Sequence, residues 1–383
     1  MLSLFKTRTK VGLDVDFLSK LKHETPFFVF SKEKIIAQVK SFNKFFPNAL
    51  IHYAIKANYE PEVLKIISST GAGFEAASQY EINWLREVGV PANKIIYGTS
   101  IKPINHIKAA YNYGVRLFAF DSLPELDKIA AAAPGSKVYV RVLVNDAGSV
   151  FRFSEKFGTE RDNIVPYLIR AKELGLIPYG ISFHVGSQAS NPKAWANAIR
   201  NLKRPLLALK KVGIKIEILN IGGGYPCSYA SSETEITLKV IAENTLKEYR
   251  KLPYRPKLIL EPGRGIIACT GVLVASIVGK VERMGSTWLF LDSGVYNGLF
   301  ETMAYQGSTR YRITSLRPLY DSGEQMYALA GPTGDSPDVI THEALLPKEL
   351  EVGDKLLIHD VGAYSLSVTS NFNGFPKPKA YFI

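Results

Sequence analysis

Between residues 51 and 264 short β-rich runs alternate with helix-like segments, and this alternation constrains the fold more than any other feature of the chain. The runs are IHYAIKA (51–57), GFEAAS (73–78), KIIYG (94–98), LFAFDS (117–122), KVYVRVLV (137–144), YGISFHVGS (179–187), IEILNIGGG (216–224) and KLILEPGR (257–264). Segments such as EPEVLKIISST, QYEINWLREVG, NIVPYLIRAKELG and LKRPLLALKKVG lie between them, with apolar residues at helical spacing and often a closing glycine. Eight strand–helix units in one unbroken series predict a closed (β/α)8 barrel, an α/β fold, in preference to an open doubly wound sheet. After about residue 265 the texture changes. VLVASIVGKVER, TWLFLDSGVY, YALAGPT, DKLLIHDVGAYS and KAYFI read as strands with little helix between them. The expected organisation is therefore an N-terminal segment (1–30) that packs with a β domain, a barrel (31–264) and a C-terminal β domain (265–383). The stretch TPFFVFS is the candidate N-terminal strand.

With 383 residues, 46% of them hydrophobic, the chain has ample material for two cores. No apolar run reaches the length of a membrane helix, and MLSLFKTRTKVGLDVDFL lacks the pattern of a secretory signal. Cys227 and Cys269 cannot build a disulfide framework and show no metal-ligand spacing, so a reducing cytoplasmic compartment and no metal are expected. The net charge of +12 is scattered along the chain. Its densest stretch, IRNLKRPLLALKKVGIKIE, alternates lysine with leucine as a solvated helix face does, which argues against nucleic acid as a partner.

Catalytic groups of a (β/α)8 barrel stand at the C-terminal ends of its strands. The first run brings Lys56 there, the second Glu75, and the sixth His184 with Gly186 and Ser187. The seventh brings Gly222, Gly223 and Gly224, and the eighth Glu261, Gly263 and Arg264. Alone, each has a plain structural reading: a strand-end lysine faces solvent, a GGG is a turn, and EPGR is a turn with an ion pair. Together they suit pyridoxal 5′-phosphate chemistry. A lysine amine condenses with the cofactor aldehyde, and a carboxylate keeps the pyridine nitrogen protonated. Bare backbone N–H groups and an arginine hold a phosphate, commonly in the loops after strands seven and eight.

The motifs YAIKAN, FHVGSQ, NIGGGYP, EPGR, GPTGDSPD and GAYS occur in order over nearly the whole chain. In them the sequence resembles the pyridoxal-phosphate-dependent decarboxylases of the alanine-racemase-like fold, the group acting on ornithine, lysine, arginine and diaminopimelate. KFG (156–158) and FNGFP bring it nearer the ornithine/lysine branch. The resemblance implies that Lys56 bonds the cofactor, His184 stacks on its ring and Glu261 pairs with the ring nitrogen. It also implies that Ser187, Gly223, Gly224, Arg264 and Tyr364 hold the phosphate, and that Glu75, Arg152 and Gly263 lie close to the cofactor. It further implies a homodimer in which the GPTGDSPD loop delivers Asp335 to the partner's site, a small amino-acid substrate, and a place in polyamine biosynthesis.

Two departures bear on the chemistry. The family loop reads GPTCDS, whereas here Gly334 stands in place of the cysteine that handles a proton. Counting from Gly294 to the family's distal-recognition acid lands on Tyr305, flanked by Ala304 and Gln306; the nearest acid is Glu301. Tyr305, Gln306 and Asp335 are accordingly the expected substrate contacts. The leading expectation is decarboxylation of a basic amino acid. The alternatives are decarboxylation of a modified or conjugated amino acid and a catalytically silent regulatory homologue. Racemisation is disfavoured because a carboxylate, rather than an arginine, faces the ring nitrogen.

Overall fold

The computed structural model describes residues 18, 20–229, 236–304, 311–316 and 323–383. The chain divides into two compact units. One comprises Ile36–Pro226 and Glu235–Gly265; the other comprises Met1–Ile35, Cys227–Thr234 and Ile266–Ile383. The short segment beginning at Cys227 thus joins the β-rich unit, an excursion that the sequence pattern did not register.

The first unit is a closed barrel of eight parallel strands. They are Leu50–Ala54, Gly73–Ala76, Ile95–Tyr97, Leu117–Phe120, Lys137–Arg141, Ile177–Ser182, Ile218–Asn220 and Lys257–Leu260. One strand comes from each expected run. Closure is possible because each run is short and the first seven are each followed by a helix of seven or more residues, whereas the eighth is followed only by the four-residue helix Arg264–Ile267. In Pro61–Ser69, for example, Val63, Leu64, Ile66 and Ile67 are buried, and Gly71, in a left-handed conformation, lets the chain turn back. The helix Gln79–Glu87 begins at Ser78, whose Oγ accepts the Glu81 N–H at 3.2 Å. Ile96, Ala119, Tyr139, Ile218 and Ile259 point inward from five strands and fill the barrel, so it is a packed core with a site at its rim. A small antiparallel pair, Ser149–Phe151 with Ser187–Ala189, was not anticipated.

The second unit is built on an eight-stranded mixed sheet. The strand Gly271–Arg283 organises it: its first half pairs with Phe27–Phe30 and with Lys355–His359, and its second half with Ser286–Leu291. Phe27–Phe30, the expected N-terminal strand, lies antiparallel to Gly271–Arg283 and parallel to Lys379–Phe382. Its alternate residues Phe27 and Val29 pack with Leu18, Val272, Val274 and Leu357. No helix among the described residues is long and apolar enough to cross a membrane.

Candidate active site

Lys56 lies in a single 3-10 turn, Ile55–Ala57, directly after the first barrel strand, with Ile55 and Ala57 buried on either side. The backbone anchors the residue while its side chain stays 43% exposed and reaches Glu75 Oε2 at 3.5 Å. Glu75, on the second strand, is almost fully buried. Gly98, beyond the third strand, must lack a side chain because the Glu75 carboxylate occupies that space. Glu261 follows the eighth strand. Its Oε1 accepts Asn220 Nδ2 at 2.5 Å, and Asn220 Oδ1 accepts the Gly222 N–H at 2.9 Å. One fully buried amide therefore fixes both the carboxylate and the start of the glycine loop. Burial, and then the charge of Glu75, push the Glu261 carboxyl up to about 7, against the Asn220 bond and the nearby Lys56 and Arg141 cations.

His184 follows the sixth strand. Its Nδ1 accepts the Gly186 N–H at 3.0 Å. Burial, with Arg141 and Lys56 nearby, holds the imidazole well below its ordinary value, so the ring is neutral with its proton on Nε2. The glycine loop runs past this ring. A Cβ on Gly223 would lie 3.1 Å from His184 Nε2, and Gly224, at φ +95°, would drive a Cβ into the Gly186 carbonyl. Trp195 Nε1 donates to Gly223 O at 3.2 Å and Ala189 N to Gly224 O at 3.0 Å, fixing the loop from outside. Buried Arg264 donates from Nη2 to Ser187 Oγ at 3.4 Å. Gly263 lets the eighth strand's loop close on the first: a Cβ there would sit 2.9 Å from Ala57 Cβ.

One unit thus gathers Lys56, Glu75, His184, Ser187, Gly223, Gly224, Glu261, Gly263 and Arg264. Arg152 is exposed and stands between Phe151, which pairs with Ser187, and Phe153, whose ring lies 4.9 Å from the His184 ring. A second guanidinium in this group, besides Arg264, is Arg141, the last residue of the fifth strand, whose charge is felt by Glu261 and His184. Arg141 also lies 5.1 Å from the Phe157 ring centroid. The strand-end rule would have found Arg141 and Asn220 had those strands been given their true ends. Instead the fifth run was carried on to residue 144, and Asn220 was hidden by the glycines that follow it.

The remaining expected residues belong to the β-rich unit. Tyr364 adopts φ +52°, a left-handed conformation unusual for an aromatic residue. Asp335 accepts a hydrogen bond from the Tyr296 phenol. The loop carrying it is pinned by buried Asp338, which accepts from Val295 N at 2.7 Å, Thr333 N at 3.0 Å and Thr333 Oγ1 at 2.7 Å. Around Gly334 there is open space. Glu301 is only 2% exposed and lies 3.4 Å from the Tyr229 hydroxyl, so it does not present an open carboxylate. Tyr305 and Gln306 lie outside the described residues.

Residues 32–268 match the family described as pyridoxal-dependent decarboxylase, pyridoxal binding domain. The chain belongs to that family. The lysine/ornithine decarboxylase of Selenomonas ruminantium is 33% identical over 92% of this chain and 88% of that protein. The antizyme inhibitor 2 of Xenopus laevis is 31% identical over 96% and 83%. The solved arginine decarboxylase of Paramecium bursaria Chlorella virus superposes with a TM-score of 0.88 at 31% identity, covering 96% of this chain and 98% of that one. The cofactor of this decarboxylase is pyridoxal 5′-phosphate, and its residues fit that group. The cradle of Gly222–Gly224 has no room for side chains, buried Arg264 and Ser187 stand ready for an anion, and a buried carboxylate is oriented by Asn220. Among the described residues no cluster of His, Cys, Asp or Glu is placed to hold a metal ion.

Proposed function

We propose that this pyridoxal-dependent decarboxylase takes a basic amino acid of the ornithine, lysine or arginine class and releases CO2 and the corresponding amine. The observation that carries the reading is the convergence of Lys56, Glu75, neutral His184 and Asn220-bound Glu261 beside the bare glycine loop. When bound, the cofactor supplies an electron sink for the pair left by the broken carbon–carboxylate bond. Lys56 would hold it covalently, and Ser187, Gly223, Gly224, Arg264 and Tyr364 would hold its phosphate. Glu261 acts on the ring nitrogen: a cation there favours the charged carboxylate, and the carboxylate in turn keeps that nitrogen protonated. His184, neutral and fixed through Nδ1, offers a flat uncharged face and shields the site from water. Asp335, oriented by Tyr296, would receive the distal cation of the substrate.

The intact lysine, carboxylate and arginine set supports an enzyme over a silent regulatory homologue, which has no need of a cofactor site. A cytoplasmic homodimer with shared sites, and a role in making polyamines, complete the proposal. So does a division into an N-terminal segment, a barrel that binds the cofactor and a C-terminal β domain. The test is a screen of amino acids for CO2 release by the cofactor-loaded protein, with the product identified. Release from ornithine, lysine or arginine is expected. Turnover confined to an uncharged or conjugated amino acid would overturn the substrate assignment, and no turnover of any amino acid by a protein that carries the cofactor would favour the silent homologue.

A further inference from the structure

The edge strand Ile313–Ser315 pairs antiparallel with Lys355–His359, with Ile313 opposite Ile358. His359 N donates to Arg312 O at 3.0 Å, which sets Arg312 and His359 opposite each other across the ladder. Their side chains, and that of Thr314 two residues on, share one face of the sheet. Thr314 Oγ1 lies 2.8 Å from His359 Nε2. Three nitrogens at this place, Arg312 Nε, Arg312 Nη2 and His359 Nδ1, are buried and meet no hydrogen-bond partner. Buried polar atoms are almost always satisfied, and a charged guanidinium is the costliest kind to leave bare. The charges that act on the His359 ring are those of Arg312 and Lys34. Burial, then Arg312, then Lys34 hold the His359 imidazole at about 3, so the ring is neutral, and it shares one hydrogen bond with Thr314 through Nε2.

We propose that Arg312 and His359 form a binding site for a small oxyanion, a carboxylate or a phosphate. Arg312 Nε–H and Nη2–H point the same way and make the side-on fork that grips two oxygens of one such group. In the tautomer that accepts from the Thr314 hydroxyl at Nε2, His359 Nδ1–H is a third donor to the same group, and Lys34 adds positive charge. The residues are different from those that cradle the cofactor phosphate, and the inference is independent of which amino acid the enzyme decarboxylates.

The test uses the full-length, cofactor-loaded protein, so that the barrel's phosphate cradle is already filled. Parent, Arg312→Gln and Arg312→Lys proteins are titrated calorimetrically with sodium phosphate and, separately, with sodium acetate, against chloride at matched ionic strength. The expected result is one saturable oxyanion per chain in the parent and at least tenfold weaker binding in both variants, because lysine restores the charge without the fork. Saturation by phosphate alone assigns a phosphate or phosphate ester; saturation by acetate, with or without phosphate, assigns a carboxylate. A thermal melt supplies a second readout. In oxyanion-free buffer Arg312→Gln should melt no lower than the parent, since it removes unsatisfied buried donors, whereas the saturating anion should raise only the parent's melting point. No saturable binding by the parent, equal binding by Arg312→Gln, or a variant that melts lower by the same amount in both buffers would overturn the proposal.

Discussion

Glu261 is the residue on which the chemistry turns. Its carboxyl is pushed up to about 7 by burial and by Glu75, far above a carboxyl in an unfolded chain. In the cofactor-free protein the folded state therefore holds more protons than the unfolded state between pH of about 4.5 and 7. The contribution to stability is full below that window and is lost as pH rises through it. Glu81, raised to about 7 mainly by its own burial, acts in the same direction. Relative to the parent, cofactor-free Glu261→Gln should gain in melting temperature from pH 5 to pH 7.5, because it lacks the loss that this carboxyl imposes, while neutral buried His184 and His359 act in the opposite direction equally in both proteins. A calorimetric series against pH checks the sign. In the loaded enzyme, Glu261→Gln should keep the near-visible absorbance of bound cofactor but turn over at least tenfold more slowly, about 1.4 kcal/mol in the barrier; a rate within about threefold of the parent would mean that the carboxylate has only a structural role. Lys56, His184 and Glu261 were legible in the sequence because each follows a strand whose end is marked by a change of texture. Arg141 was not, since VRVLV continues β-like beyond the point where the ladder stops.

At the scale of elements, two glycines make opposite predictions. Gly224 holds φ +95°, and a Cβ there would strike the Gly186 carbonyl, which is backbone and cannot swing aside. Gly224→Ala should leave the helix and strand content intact by circular dichroism while weakening cofactor affinity at least tenfold, measured by absorbance titration. Gly334 has open space around it, and Gly334→Cys should fold as stably as the parent, within about 0.5 kcal/mol, as surface changes away from special backbone do. The eight barrel strands were legible because each is a compact apolar run closed by a turn signal. Ser149–Phe151 and Ser187–Ala189, three residues each, lack the apolar run that marks even the three-residue barrel strands Ile95–Tyr97 and Ile218–Asn220. Val339–Pro347 was missed for a different reason. Its buried and exposed residues do not alternate cleanly, and Leu345 stands exposed opposite an exposed Met326.

For the whole molecule, the proposed shared sites make a quantitative claim. Mixing inactive Lys56→Ala with inactive Asp335→Ala under conditions of subunit exchange should regenerate intact sites to about a quarter of parental activity, since half the dimers are mixed and each of these carries one complete site. No recovery after exchange has been demonstrated would show that Lys56 and Asp335 act within one chain. The β-rich unit has a property of its own. Phe27–Phe30 is flanked in register by Gly271–Val274 on one side and by Lys379–Phe382 on the other, so one of the first strands made is completed by the last. During synthesis at ~5–20 residues per second, that strand waits some tens of seconds for its second neighbour while the barrel forms between them. Four consecutive buried residues, FFVF, remain open to other chains throughout that wait. The partly made chain is thus a natural client for chaperones that hold exposed hydrophobic segments.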